Sequence, residues 1–253
     1  MKKVHQFDNG VKVFDYHLLP IQRKRYEKRN VHEEDEEDIF IKIVENLKKD
    51  SIYISIGTAI GYYPLLAKKL KDDILIHCFE ALPNHLLYLK ENIKLNGWKQ
   101  DNFFIHGLAV STIFGKVAFE NKSYASSVIH NPVKLPTKIY IKNIVKKLLG
   151  ISPSLSVTEV QAIPMINIFT FTESKTIDFV QMDIQGHEQS VLEKYFSDIG
   201  SSDMVIKSFL IGTHGIIIHN TCIKLFENNG YKIVINEFET KNQPDGIIFC
   251  EIL

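Results

Sequence analysis

From residue 51 onward, short apolar runs of the kind that form strands alternate with segments whose apolar residues recur at helical spacing. The strand signals lie at residues 52–56, 74–79, 103–106, 176–183 and 204–211. The helix signals lie at residues 62–70, 84–96, 188–196 and 219–228. This order predicts an α/β fold, in which helices cover both faces of a parallel sheet.

The end of the chain breaks the alternation. Residues 231–235 and 246–252 are two strand signals joined by about ten mostly polar residues, with no helix signal between them. Because neighbouring parallel strands need a crossover connection, this pair is expected to be an antiparallel hairpin. The sequence therefore predicts a doubly wound, mostly parallel seven-stranded sheet with a C-terminal antiparallel hairpin.

Composition argues against several classes of partner and site. The 30 basic and 30 acidic residues cancel, whereas a general affinity for nucleic acid normally requires a basic excess. Three cysteines without a C-x-x-C pair argue against a disulfide framework or a zinc ribbon. The N-terminus has no apolar run behind its two lysines, and nowhere do eighteen apolar residues run together. We therefore expect a cytoplasmic protein with no integral membrane association.

Two charged segments stand out, one before the alternation and one inserted within it. Six consecutive acids at 33–38 lead into apolar residues at helical spacing, which predicts the first turn of a helix, where acids are favoured. Residues 132–154 have the pattern of an inserted basic amphipathic helix bounded by prolines. We expect this helix to pack on its own domain, with peripheral contact to a membrane or an anionic substrate through 138–149 as the alternative. The chain, residues 1–253, is expected to form one domain in which residues 1–50 are an N-terminal cap segment.

A glycine turn follows the first strand of the alternation. Glycines at 57 and 61 let the backbone pass close to a ligand at the start of the next helix. A dinucleotide site would have G-x-G-x-x-G, but Ala59 and Tyr62 occupy the positions of its second and third glycines. A ligand without a pyrophosphate is therefore favoured.

Glu80 ends the second strand, nineteen residues after Gly61. An acid at this place can accept hydrogen bonds from both hydroxyls of a ribose. The alternative is that Glu80 only caps the helix that follows. Together with the glycine turn, the position favours the ribose role.

Titratable residues collect at the carboxyl ends of the fourth and fifth strands, where open α/β sheets bind and react. Asp183 ends the fourth strand, with His187 and Glu188 close behind, and His214 follows the fifth. Asp183 alone would be explained as a helix cap, but three titratable groups in six residues exceed what a cap requires. If the two strands are neighbours, a histidine and a carboxylate converge over one pocket.

Three ordered segments resemble the FkbM family of S-adenosylmethionine-dependent methyltransferases. They are IGTAIGYYPLLAKKL, FEALPNHLLYLKENIKLNG and IDFVQMDIQGHEQSVLE, within residues 52–215, and the flanking RYEKRNVHEEDEE and QPDGIIF are also similar to that family. The resemblance implies the Rossmann-like class I methyltransferase fold, whose final strand is antiparallel. It also implies O-methyl transfer to a hydroxyl of a sugar, glycan or related natural product.

The resemblance also assigns residues to the cofactor, S-adenosylmethionine, and its product S-adenosylhomocysteine. The implied cofactor-binding residues are Ser55, Gly57, Thr58, Gly61, Glu80, Ala81 and Ala109. The family's D-x-x-G-x-E motif falls on Asp183, Gly186 and Glu188. The family commonly has an acid where this chain has Ser55, which brings no charge to the cofactor's amino group. Glu33 or Glu37 is a possible replacement.

The expected reaction is an in-line displacement at the sulfonium methyl by an acceptor hydroxyl, which needs a base because a neutral hydroxyl is a poor nucleophile. The catalytic candidates are Asp183, His214 and, after them, His187. A divalent metal could do the same work. Asp183, Glu188 and His187 are suitable ligand types but lack a recognisable ligand spacing, so metal dependence is not favoured. The acceptor pocket is predicted to include Tyr26, His32 and Glu188, although residues near 26–32 could instead form a surface connection.

Two other functions remain open. The chain could be a catalytically inactive module that binds a nucleotide or S-adenosylmethionine, which Ser55 permits. The cluster of Asp183, His187 and His214 argues against it, because a pure binding module has no need of those groups. An NAD-dependent sugar enzyme is disfavoured by the glycine pattern and by the terminal hairpin.

Overall fold

The structure is a computed structural model that describes residues 2–121, 156–238 and 245–253. The N-terminal part contains β1 (Val4–Gln6), β2 (Lys12–Phe14), α1 (Pro20–Arg25) and α2 (Glu34–Asn46). There follow β3 (Ile52–Ile56), α3 (Tyr62–Leu70), β4 (Leu75–Phe79), α4 (Pro83–Leu95) and β5 (Phe104–His106). Next come β6 (Ala109–Ser111), β7 (Gly115–Asn121), β8 (Ser156–Pro164) and α5 (Ile168–Thr172). The rest is β9 (Thr176–Ile177), β10 (Phe179–Met182), α6 (Glu188–Ile199), β11 (Val205–Ile206), β12 (Ser208–Thr213), α7 (Ile216–Asn228), β13 (Tyr231–Glu237) and β14 (Gly246–Ile252).

The central sheet has seven strands in the order β13-β14-β12-β10-β3-β4-β5. The five strands from β12 to β5 are parallel to one another, and β14 runs antiparallel to both β12 and β13. The predicted fold class is confirmed, including the C-terminal antiparallel hairpin. From β3 the chain builds outward through β4 and β5 and then returns to β10 and β12. The carboxyl ends of β3 and β10 therefore mark a topological switch point, where such sheets bind their ligands.

Side chains alternate along the central strands and fill two apolar layers, one on each face of the sheet. Tyr53 and Phe179 pack with α2, α3, α4 and the N-terminal residues on one face. Ile54 and Val180 pack with α5, α6 and α7 on the other. Every residue of β3 is buried, as expected for a strand that is covered on both sides. Among the helices within the described ranges, none is long and apolar enough to cross a membrane.

The fourth and fifth predicted strands are each interrupted once. The signal at 176–183 divides into β9 and β10, and the signal at 204–211 divides into β11 and β12. β9 pairs with β11 in a small parallel sheet of their own. The breaks fall at Asp178 and Lys207, whose side chains form an ion pair of 2.7 Å, while Asp178 also accepts the N–H of Ile52 at 2.8 Å.

A side sheet of three strands, in the order β6-β8-β7, was not predicted. Its small apolar cluster includes Ala109, Val117 and Ala162 and contacts Ala81 beside the first crossover. The predicted basic helix at 132–154, with its alternative membrane contact at 138–149, lies outside the described residues.

The acid block begins α2, as predicted, with four acids in the first turn. Its environment differs from the solvated helix end that such a block usually forms. Glu33, Glu36 and Glu37 are all more than nine-tenths buried. The N-terminal segment covers them, since the buried side chains of Phe7, Val11 and Tyr26 belong to the same apolar layer as α2 and α3.

Asn92, on α4, ties the N-terminal segment to the glycine turn. Its amide Nδ2 donates to the carbonyl oxygen of Ile60 at 3.0 Å, and its Oδ1 accepts the N–H of Phe14 at 3.1 Å. The same oxygen lies 3.0 Å from Nδ1 of His17. The side chain is fully buried, so its removal would leave several buried polar groups without partners.

We predict that Asn92→Ala lowers the free energy of unfolding by about 3 kcal/mol, measured by urea denaturation. The control is Asn96→Ala on the same helix, whose amide exchanges two hydrogen bonds with the backbone of Lys12 in a more exposed place. That variant should lose about 1 kcal/mol or less, because water replaces the lost partners. Equal losses in the two variants would contradict the anchoring role of Asn92.

Candidate active site

A cavity of about 310 Å³ opens at the carboxyl edge of the sheet, beside the switch point. Its walls come from the turns after β3, β4 and β10, from the start of β6, and from the N-terminal segment around α1. The charged residues that line it are Arg25, Glu33, Glu80, Asp183 and Asp245. Among the described lining residues Arg25 is the single lysine or arginine. A group with several phosphates would therefore find little compensation here.

The glycine turn packs directly against the end of β10. Gly57 has a φ of +79°, and a Cβ atom at this position would lie 1.9 Å from the carbonyl oxygen of Asp183. Gly61 has a φ of +91°, and its Cβ would meet Cδ1 of Leu89 at 2.3 Å. Ala59 also has a left-handed backbone, with a φ of +50°. Only glycine fits at 57 and 61, which explains the two glycines without the dinucleotide pattern.

Glu80 joins the two turns at the cavity. Its Oε2 accepts the N–H of Ala59 at 2.7 Å, and its Oε1 accepts the N–H of Leu82 at 2.8 Å. Nδ1 of His85 lies 3.5 Å from Oε1. Glu80 therefore braces both turns and also lines the cavity. Contact with a ribose stays a prediction.

The other predicted cofactor residues line the same cavity: Ser55, Thr58, Ala81 and Ala109. Ser55 is buried, and its hydroxyl oxygen accepts a hydrogen bond of 3.2 Å from the hydroxyl of Thr58. Apolar side chains of Leu108, Val110 and Phe119 form the wall nearest Ala109. A polar turn, one acid at the end of β4 and an apolar wall suit a nucleoside without a phosphate chain, so these residues fit S-adenosylmethionine.

Asp183 and His214 converge as the sequence predicted, because β10 and β12 are paired neighbours. Nε2 of His214 lies 3.6 Å from Oδ1 of Asp183 and 3.2 Å from Oδ1 of Asp245, and its Nδ1 lies 3.1 Å from Oε1 of Glu188. The imidazole is thus surrounded by three carboxylates. Asp245 was not predicted, although it belongs to the QPDGIIF segment that resembles the family.

Glu188 lies beneath this cluster, fully buried, and is not part of the cavity lining. Its Oε1 accepts the N–H groups of Ile184 and Gly186, each at 3.1 Å. The motif carboxylate therefore shapes the loop after β10 and holds His214. The geometry gives Glu188 a positioning role, whereas the sequence suggested contact with the acceptor.

The surroundings of His214 and Asp183 favour a protonated histidine beside a carboxyl group whose pKa is raised. Burial alone would lower the pKa of His214, but the hydrogen bond to Glu188 and the charges of Asp183, Glu188 and Asp245 raise it to about 9. Burial raises the pKa of Asp183 to about 6, against the opposing effect of His214. At neutral pH the histidine therefore keeps its proton, and Asp183 is the group that can accept one.

The ligand atoms of Asp183, Glu188 and His214 lie within 4.8 Å of one another, close enough for three groups to share a cation. Two backbone N–H groups already occupy Oε1 of Glu188, and a metal-bound histidine would have to give up its proton. The arrangement is explained by ion pairs, and the expectation that metal dependence is not favoured stays a prediction.

The remaining predicted site residues lie on two other walls. His187 is buried and lines the cavity, with its Nε2 3.3 Å from the hydroxyl of Ser111. His32 also lines the cavity, and burial lowers its pKa to about 3, so it is neutral. The hydroxyl of Tyr26 lies 2.7 Å from Nδ1 of His32. Tyr26 thus contacts His32 by this hydrogen bond and does not itself line the cavity.

The three buried acids of the α2 region have different surroundings. Glu37 pairs with the hydroxyl of Tyr62 and accepts from Nδ2 of Asn9 at 3.0 Å. Glu36 accepts from Nε2 of Gln181 at 2.8 Å. Of the three, Glu33 is the one that lines the cavity. Burial of these acids is a tertiary effect that no local sequence pattern indicates.

Comparison with known proteins decides the family. The family model described as Methyltransferase FkbM domain matches residues 55–233. The chain belongs to the FkbM methyltransferase family. It is therefore an S-adenosylmethionine-dependent methyltransferase, and the resemblance inferred from the three motifs is confirmed.

Solved structures that are similar to this chain have low sequence identity to it. A methyltransferase FkbM from Methylobacillus flagellatus has a TM-score of 0.45 and 15% identity, over 81% of this chain and 44% of that one. A precorrin-6y C5,15-methyltransferase from Geobacter metallireducens has a TM-score of 0.45 and 10% identity, over 85% of each chain. TrmK from M. capricolum, solved with S-adenosylhomocysteine, has a TM-score of 0.42 and 13% identity, over 84% of this chain and 66% of that one. No curated protein sequence matches the chain.

Proposed function

We propose that this methyltransferase transfers the methyl group of S-adenosylmethionine to a hydroxyl of a sugar or glycan, with Asp183 as the general base. The observation that carries the proposal is the position of Asp183, which lines the cavity at the switch point with its Oδ1 3.6 Å from Nε2 of His214. A base is most effective when its pKa lies near the working pH. A pKa of about 6 meets this condition.

The cofactor, when bound, supplies a methyl group that its sulfonium charge already activates. The residues that would hold its nucleoside part are Glu80, Ala81 and Ala109, with the turn from Gly57 to Gly61 beside them. Gly57 brings the backbone of the turn against Asp183, so the turn and the proposed base are held next to each other. Such alignment is a large part of what a methyl transfer requires of a protein.

The protein's own chemical step is the removal of the acceptor proton. An oxygen of Asp183 would accept the hydroxyl proton as the oxygen of the acceptor becomes a nucleophile. His214 stays protonated, orients this carboxylate and favours its ionised form before the reaction. Glu188 and Asp245 keep the imidazole in place from its other sides.

The charge of the cavity supports a polyhydroxyl acceptor over a nucleic acid. Four acids and one arginine line it, and carboxylates accept hydrogen bonds well from adjacent hydroxyls. A phosphate backbone would be repelled by the same acids. With zero formal net charge, the chain as a whole also lacks the basic excess of a nucleic-acid-binding protein.

We predict that a panel of free, nucleotide-linked and glycosidic sugars, incubated with methyl-labelled S-adenosylmethionine, contains an acceptor that gains one O-methyl group, identified by NMR. Asp183→Asn should lower turnover of that acceptor by about 10²- to 10⁴-fold, because the amide cannot accept the proton. Binding of S-adenosylhomocysteine should persist in the variant. Label in RNA but in no sugar would contradict the proposal, and cofactor binding without any transfer would favour the inactive module.

The pH dependence distinguishes Asp183 from His214 as the base. With Asp183 as the base, kcat/KM rises as pH passes through about 6 and is level at neutral pH, because the carboxyl must be ionised. His214→Gln removes a neighbouring positive charge, which raises the pKa of Asp183, so the rise should move to higher pH while activity persists. If His214 were the base, the variant would lose turnover at every pH. Circular dichroism and S-adenosylhomocysteine binding serve as folding controls.

A further inference from the structure

Arg25 and Glu33 form a pair of opposite charges on the wall of the cavity. Nη2 of Arg25 lies 3.9 Å from Oε1 of Glu33, and both residues line the cavity. Arg25 is the last residue of α1, and Glu33 immediately precedes α2. The pair therefore belongs to the N-terminal segment, which lines the cavity together with the glycine turn. Neither residue has a place in the proton transfer described above.

Glu33 is buried without a strong partner. The carboxylate side chain is 8% exposed. In the part of the chain that the structure describes, its hydrogen-bonding partner is the hydroxyl of Tyr63 at a long 3.5 Å, and its ion pair is the 3.9 Å contact with Arg25. Burial, with Glu36 and Asp183 nearby, raises the pKa of Glu33 well above its usual range. A buried carboxylate with such weak partners is stabilised when a cation enters the cavity and pairs with it.

Arg25 is also incompletely paired. Its Nε atom is buried and has no hydrogen-bond partner within the described ranges. The guanidinium side chain is 30% exposed, and its donors can form a planar fork that matches a carboxylate. As the single lysine or arginine among the described lining residues, Arg25 is the natural partner for an anionic group in the cavity.

The end of β3 brings no charge to the cavity, since Ser55 and Ile56 are its lining residues. The hydroxyl oxygen of Ser55 accepts a hydrogen bond from the hydroxyl of Thr58. Glu36 and Glu37 do not supply a charge there. Glu36 is hydrogen-bonded to Gln181 and Glu37 to Tyr62, and neither lines the cavity. Glu33 lines the same cavity as Ser55 and Asp183, and it is near enough to Asp183 for the two charges to interact.

We propose that Arg25 and Glu33 together bind the amino-acid end of the cofactor, Glu33 taking its α-ammonium group and Arg25 its α-carboxylate. This inference rests on the proposed use of S-adenosylmethionine. It explains why an arginine and an under-paired acid lie side by side in a cavity that is otherwise acidic. It also gives the N-terminal segment a binding role, in which the segment supplies charges that β3 lacks.

The test is calorimetric binding of two pairs of ligands that differ only in the amino-acid end. S-adenosylhomocysteine is compared with 5′-methylthioadenosine, which lacks that end. S-adenosylmethionine is compared with its decarboxylated form, which keeps the ammonium group but lacks the carboxylate. The variants are Glu33→Gln and Arg25→Gln. Their controls are Glu37→Gln, a buried acid away from the cavity, and Lys24→Gln, an exposed neighbour of Arg25.

We expect Glu33→Gln to weaken S-adenosylhomocysteine about tenfold to a hundredfold, the usual worth of a charge-assisted hydrogen bond. The same variant should bind 5′-methylthioadenosine within about twofold of the wild type, because that ligand has no group for Glu33. Arg25→Gln should weaken S-adenosylmethionine but leave its decarboxylated form unchanged. The two control variants should bind all four ligands normally. Replacing Ser55 by Asp in the Glu33→Gln protein should restore part of the lost affinity.

Equal losses for the long and the truncated ligand would overturn the proposal, because they would show a structural effect on the whole site. Unchanged affinity for S-adenosylhomocysteine in Glu33→Gln would overturn it as well, and a loss confined to acceptor turnover would move Glu33 to the acceptor pocket. If wild type binds 5′-methylthioadenosine and S-adenosylhomocysteine equally well, the amino-acid end has no site at all. Failure of the wild type to bind any of the four ligands would instead contradict the proposed function.

Discussion

The close contact between the glycine turn and the end of β10 is the constraint on which the site depends. A Cβ atom at position 57 would lie 1.9 Å from the carbonyl oxygen of Asp183. The residue after β3 must therefore be glycine, because it packs against the backbone carbonyl at the end of the adjacent strand β10. This contact brings the turn that begins the ligand cavity against the residue proposed to accept a proton. Glu80 then fixes the other side of the turn through the N–H of Ala59. The position of the base relative to the cavity is therefore a property of the backbone.

The second constraint is that the buried carboxylates in and near the cavity need positively charged partners. The carboxylates of Glu33, Glu80, Asp183 and Asp245 line the cavity, and those of Glu36 and Glu188 are buried close by. The cations among them are Arg25 and His214. Burial, with the charges of Asp183 and Asp245 nearby, raises the pKa of Glu36 to about 7. Such a site favours neutral polyhydroxyl ligands and ligands that carry an ammonium group, and it disfavours phosphates.

The sequence predicts those parts of the fold that depend on local pattern. The bounds of β3 and α3 follow from the apolar runs and the glycine turn, and the hairpin follows from a missing crossover. Asp183 and His214 could be placed at one pocket because each follows a strand whose carboxyl end lies at the same edge of the sheet.

What the sequence does not indicate depends on contacts between distant segments. The side sheet containing Ala109 requires pairing across residues 122–155, and the exposure of Glu33 to the cavity depends on how the N-terminal segment folds back. Asp245 comes from beyond the last crossover and joins His214 only because β14 pairs with β12.

The decisive measurement is calorimetric titration of the wild-type protein with S-adenosylhomocysteine and, separately, with NAD. We predict saturable binding of S-adenosylhomocysteine with one site per chain and no binding of NAD. The reason is that the turn after β3 lacks two of the dinucleotide glycines and that Arg25 is the one arginine or lysine among the described lining residues. Binding of NAD in place of S-adenosylhomocysteine would overturn the assignment of the cofactor and would show that the cavity serves a different chemistry.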